Sequence, residues 1–108
     1  MLRSAIVYRN GLRVGKLEER STGGYQFTYD LTWVLDENAP AISLSLPKRE
    51  EPYESDHLFA FFFNMLSEGV NRRLQSKQLK IDEQDHFGLL LATAAYDTIG
   101  AVTVKPEK

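Results

Sequence analysis

The residue types that most often do chemistry are sparse in this sequence. His57 and His86 are the two histidines, and there is no cysteine. Neither histidine forms a recognisable i, i+4 ligand motif with its neighbours, so no metal site is expected. Thiolate chemistry, disulfides and cysteine-based zinc sites are excluded by composition. Acidic residues cluster at Asp36-Glu37, at Glu50-Glu51 and between Asp82 and Asp85. Each cluster falls in an expected loop or at a helix start, where a carboxylate complements the exposed N–H groups and the helix dipole. That role accounts for them without a general acid/base pair. Gly11 and Gly15 lack the strand-to-helix setting and the lysine of a phosphate-binding loop. The nucleophile elbow and the kinase catalytic and metal-binding motifs are absent from the sequence. No catalytic residue, cofactor or metal is therefore expected, and the chain reads as a non-enzyme.

The most distinctive chemistry is apolar. Residues 58–66 read LFAFFFNML, with four phenylalanines, two leucines and a methionine. On a helical wheel Leu58, Phe62, Met65 and Leu66 share one face, Phe59 and Phe61 widen it, and Phe63 extends it. The apolar arc spans roughly 200°, against a little over 100° for an ordinary core-facing helix. Either the helix is covered on two sides, or one edge remains open to dock on a partner.

The elements that must position this helix are legible from periodicity. A β-branched run at 5–8 meets Asn10-Gly11, a strong hairpin signal, and returns at 12–18, with Gly15 marking a bulge or a close approach. Ser21-Thr22-Gly23-Gly24 makes a second turn. Tyr25, Phe27, Tyr29, Leu31 and Trp33 then alternate as a half-buried strand whose end can bend away near 30–33. Ile42, Leu44 and Leu46 alternate as a further short strand closed by Pro47. Residues 48–56 read as a charged loop, and Ser55 or Asp56 as the cap of the aromatic helix, which Gly69 would stop. A basic helix at 70–80 carries Val70 and Leu74. Asp82 or Asp85 caps a third helix with a core stripe of Phe87, Leu90, Leu91, Ala94 and Ala95. A turn at 97–100 leads into a last strand at 101–105. The expected fold is α+β: a mostly antiparallel sheet of N-terminal strands plus one C-terminal strand, packed against about three helices. Length favours a single domain over residues 1–108.

Charge and hydropathy narrow the function further. The net charge is −2 with both signs interspersed, which disfavours phosphate neutralisation and hence direct nucleic-acid binding. The longest apolar run is far shorter than the roughly 18 residues of a membrane span. The first residues do not form a signal peptide, and the lack of cysteine fits a reducing, cytoplasmic setting.

Taken together, several short motifs resemble a known family. Asn10-Gly11-x-x-Val14-Gly15, Phe27-x-Tyr29-x-x-x-Trp33 and Ser43-Leu44-Ser45-Leu46-Pro47 come first. Phe61-Phe62-x-Asn64-x-Leu66-x-Glu68-Gly69, Asp85-x-Phe87-Gly88-Leu89-Leu90 and Gly100-Ala101-Val102 follow in order. This order is similar to the small N-terminal subdomain of HipA-type bacterial toxin kinases, end to end. In the fused kinases a kinase core follows the subdomain, whereas this sequence stops at Lys108. A freestanding copy is similar to the HipS component of tripartite HipB–HipS–HipT systems. The resemblance implies an antitoxin that binds and inhibits a HipT- or HipA-like serine/threonine kinase and supplies the missing subdomain in trans. A HipB-like DNA-binding protein is a possible third member of the complex. The alternative is a non-inhibitory subdomain, or a fragment, that stabilises the kinase or bridges it to the HipB-like protein. The departures from the family pattern fall at Phe63, Met65 and Ser67, where fused kinases usually carry an acidic residue, leucine and proline. They make Phe63, Met65, Leu66, Ser67 and Glu68 the candidate partner-binding residues, with Phe63 and Met65 on the exposed edge.

Overall fold

Asn10 and Gly11 both take positive φ, 52° and 80°, the turn that matches the twist of two antiparallel strands. They join β1 (Ser4–Arg9) to β2 (Leu12–Glu19). β2 continues through the Gly23-Gly24 turn into β3 (Tyr25–Tyr29). In this computed structural model residues 2–66, 69–94 and 101–107 are described, with side chains omitted at 69 and 70. The remaining elements in chain order are α1 (Leu31–Leu35), β4 (Tyr53–Ser55), α2 (Ala60–Phe63), α3 (Gly69–Leu79), α4 (His86–Thr93) and β5 (Val102–Pro106).

The five strands form one sheet in the order β4-β3-β2-β1-β5, with every described pairing antiparallel. The α+β architecture is thus as expected, with four described helices. Leu17 stands between Ala5 and Phe27, and Val7 between Gly15 and Val104. These residues line the face that α2 and α4 cover. The opposite face carries Lys16, Lys105 and Glu107, and there Ile6 is buried between its cross-strand neighbours Lys16 and Lys105. Their aliphatic stems can cover an isoleucine while the ammonium groups stay in water.

Two residues carry the shape of the sheet. The pairing of β1 with β2 slips between Val7 and Tyr8, so Val14 has no partner of its own and turns into the core. Beside it, a Cβ on Gly15 would lie 2.3 Å from the Thr28 carbonyl oxygen. Glycine is required here by the close approach of β3.

The alternation that reads through Trp33, with a bend near 30–33, gives a strand only as far as Tyr29. β2 has by then turned into its bulge and hairpin, so little ladder remains for β3. The Asp30 amide takes the Val14 carbonyl at 2.8 Å, and the chain then coils into α1. This single turn leaves Leu31 exposed and buries Trp33, whose Nε1 donates to the Pro40 carbonyl at 2.8 Å.

The alternation at 42–46 does not make a strand either. Ser43 and Leu46 form an isolated bridge, and the Ser45 amide donates to the Ser43 hydroxyl at 3.2 Å, a serine turn. The Tyr29 hydroxyl donates to the Leu46 carbonyl and accepts from the Ile42 amide. Ile42 and Leu46 point inward as a result, and Leu44 stands fully in solvent. Burial pushes the Tyr29 phenol above its ordinary value.

Part of the expected charged loop is β4, in which Tyr53 pairs with Phe27 and shares its inner face. Gly69 opens α3 and does not close the aromatic helix. In α4, Leu89 joins Phe87, Leu90 and Ala94 in the core, an addition to the expected stripe. Ala95 and the 97–100 turn lie outside the described residues.

The centre of the core is aromatic. The fully buried Phe62 ring lies 5.6 Å from that of Phe27, which packs edge-on to Tyr29 at 4.9 Å. Truncating such a ring removes its transfer energy and leaves a cavity, at a cost of about 3–5 kcal/mol, against a total stability of roughly 5–15 kcal/mol for a typical domain. Phe62→Ala should lower the urea-unfolding free energy by that amount. Leu44→Ala, at an equally apolar but solvated position, should leave it within about 0.5 kcal/mol.

Candidate functional site

The aromatic segment folds as one turn of α-helix and then tightens. Its N-cap is Phe59, which makes no side-chain cap bond. Ser55 and Asp56 do not cap it, and the Ser55 hydroxyl accepts instead from the His57 amide. The Phe63 and Asn64 amides bond the carbonyls four residues back, at Phe59 and Ala60. The Met65 and Leu66 amides bond only three back, to Phe62 and Phe63, at 3.1 and 3.0 Å. Three-residue spacing aligns side chains at i and i+3, so Met65 shares the inward face of Phe62. Met65 is 7% and Leu66 6% exposed, both within the core. The expectation of Met65 on an open edge is corrected: three residues after Phe62, it falls on the same face of the turn and is buried with it. Ser67 and Glu68 lie outside the described residues.

Phe63 is different. It points about 100° away from Phe62, is half-buried, and lies at the rim of the core. The His86 ring, at the start of α4, meets it edge-on with centroids 5.0 Å apart. The Arg72 guanidinium, from α3, sits 5.3 Å from its centre, within the range of a cation–π contact. Exposed Asn64 follows it in the turn. Three elements thus converge on one accessible phenylalanine flanked by basic groups. Sequence reading singled out Phe63 and missed Arg72 and His86, which lie too far along the chain for any spacing rule to link them.

What holds His86 in place begins at the other end of the chain. Arg3 makes a double fork: Nε and Nη2 donate to Glu19 at 2.7 and 3.1 Å, and Nη1 and Nη2 donate to Asp85 at 2.9 and 2.8 Å. Asp85 is the N-cap of α4 and also accepts from the Gly88 amide at 3.1 Å. The expected cap is therefore Asp85, and its carboxylate serves the helix and the fork together. A Cβ on Gly88 would lie 2.3 Å from Asp85 Oδ2 and 2.9 Å from Arg3 Nη1. The Asp-x-Phe-Gly sequence is thus a packing requirement: acid for the cap and glycine for the room. Hydrogen bonds from Arg3 hold both carboxyls below their ordinary range, and the carboxylates in turn raise the guanidinium.

Among the described residues no group of three or more metal-ligating side chains comes together, and no helix is long and apolar enough to cross a membrane. The arrangement can offer an aromatic ring with basic neighbours to another macromolecule.

This sheet, with its aromatic one-turn helix and its fork-locked α4, is a small α+β fold, and its relatives identify the family. Residues 5–105 match the HipA N-terminal domain, and the chain belongs to that family. It is 32% identical over 108 residues to an uncharacterized protein of Haemophilus influenzae, covering 100% of this chain and 96% of that one. It is 33% identical over 101 residues to the putative kinase Y4mE of Sinorhizobium fredii, covering 94% of this chain. The chain spans only 24% of that kinase's length. Among solved structures, the N-terminal domain of HipA toxin superposes with a TM-score of 0.74 at 29% identity, covering 100% of this chain and 95% of that one.

The fork makes stability acid-sensitive in a definite direction. Glu19 and Asp85 have lowered pKa values in the folded state, so near pH 4 the unfolded chain binds more protons. The stabilisation is complete above the ordinary carboxylate range and is lost as pH falls through the lowered values. The urea midpoint should stay level from about pH 7 to about pH 5 and drop below about pH 4. Arg3→Gln should flatten that drop. Gly88→Ala should lower the midpoint at every pH.

Proposed function

We propose that this HipA N-terminal domain acts in trans on a HipA- or HipT-like serine/threonine kinase as an inhibitory antitoxin. The observation that carries the reading is Phe63. It is an aromatic side chain left half-open beside a closed core, in a family whose members include the N-terminal part of a HipA toxin and of a putative kinase. Aromatic residues at interface centres supply much of the binding energy. Here the ring is pre-set by His86 and Arg72, so little rotamer freedom is lost on docking.

The inhibitory step is alignment. A kinase must bring its phosphate-binding loop and its magnesium-binding aspartate into register with the nucleotide. Phe63 and Asn64, presented on a rigid turn, would act as a wedge at that loop, with Ser67 and Glu68 next along the chain. Met65 and Leu66 support the wedge from inside. A HipB-like DNA-binding protein could occupy another face of the same assembly.

A second reading is favoured by the kinase relative, in which the matching segment belongs to a longer chain. There the domain would stabilise the kinase or bridge it to its DNA-binding partner without inhibiting it.

A phosphorylation assay separates the two. Adding the domain in excess to a HipT-like kinase should suppress phosphate transfer. Undiminished transfer, with the complex formed, would favour the bridging role. Phe63→Ala should weaken the complex by about 2 kcal/mol, roughly thirtyfold, with the circular dichroism spectrum unchanged.

A further inference from the structure

α3 faces the wrong way for a helix that serves its own core. An amphipathic helix ordinarily turns its apolar stripe inward. Here the half-buried side chains are Arg72, Gln75 and Ser76, while Leu74 is 52% and Leu79 43% exposed. Ser76 donates to the Ile81 carbonyl, so the inward side is satisfied by polar contacts. Every described side chain of α3 is at least partly exposed. An 11-residue helix is marginal in isolation and draws its stability from packing, so a helix with its leucines outward is built to be covered.

The charge on this surface states what covers it. Residues 69–80 contain Arg72, Arg73, Lys77 and Lys80 and no acid, in a chain of net charge −2. Arg73 and Lys77 follow at i and i+4 on one side of the helix, Leu74 lies beside them, and Lys80 follows at the turn that ends α3, where φ is 57°. Among the described residues the ion pair on this side is Arg73 with Glu83, at 3.6 Å, with the arginine largely in solvent. Arg72 carries the surface on to the Phe63 ring. Nucleic acid would set phosphates against Leu74 and meet an acidic chain, whereas an acidic protein surface with an apolar pocket satisfies both features.

We infer that the outward face of α3, with Leu74 as anchor and Arg73 and Lys77 as its basic rim, is a second docking surface for an acidic, apolar-pocketed protein. Resting on the function proposed above, that protein is the kinase, gripped at Phe63 and along α3 together. The basic rim steers the encounter, and Leu74 holds the complex once formed.

The test uses the full domain and a HipA-type kinase lacking its own N-terminal domain, with affinity measured at low and at raised salt. Arg73→Glu/Lys77→Glu should bind about tenfold more weakly at low salt and lose most of the salt dependence. Leu74→Ser should weaken binding at both salt levels. Circular dichroism verifies that both variants remain folded. Kinase binding unchanged in both variants, yet lost in Phe63→Ala, would overturn the α3 surface and leave the proposed function standing. No binding by the unsubstituted domain would overturn both. A salt-sensitive shift of duplex DNA, abolished in the double variant, would overturn the protein partner in favour of nucleic acid.

Discussion

The fold depends on the contact between Phe62 and the aromatic face of β3. A five-stranded sheet needs its apolar face covered, and α2 is only one turn long. That turn succeeds because Phe62 is fully buried against Phe27 and is flanked by Phe59 and Phe61. The three-residue hydrogen bonds that follow keep Met65 on the same buried face as Phe62. The aromatic surplus of the segment is therefore a consequence of brevity: one turn must do the covering that a longer helix would share among several.

This constraint also creates the candidate site. With Phe62, Met65 and Leu66 committed inward, the next ring, Phe63, falls at the rim. Its environment is assembled from α3 and α4, and α4 is held by Arg3 at the far edge of the chain. The site is thus coupled to the integrity of the whole sheet, because the Arg3 fork joins the start of β1, the end of β2 and the cap of α4. A surface pre-set in this way would limit the ordering cost of the association proposed above.

Two uses of charge can be told apart by geometry. Arg3 is enclosed by two carboxylates with matched forks, an arrangement in which each hydrogen bond is charge-assisted. On α3 the cations project into water beside an exposed leucine. The first arrangement closes the domain, and the second leaves a surface open to another molecule.

Periodicity and turn chemistry made much of the frame legible. Asn10-Gly11 announced its hairpin because those residues tolerate positive φ. Gly15 announced a bulge or a close approach, Asp82 or Asp85 a cap and 101–105 a final strand. The same rules misread Leu44 and allowed a bend near 30–33 without the helix that forms there, because alternation describes spacing along a chain and not whether a neighbouring strand is there to pair. The α+β class, the absence of catalytic motifs, the family motifs and the anomaly at Phe63 were all contained in the sequence, since each rests on local residue type. Tertiary structure alone decided that Arg3 and Gly88 serve Asp85, that His86 and Arg72 frame Phe63, and that Leu74 faces out. Those outcomes depend on which surfaces meet across long stretches of chain, and local propensity carries no record of that.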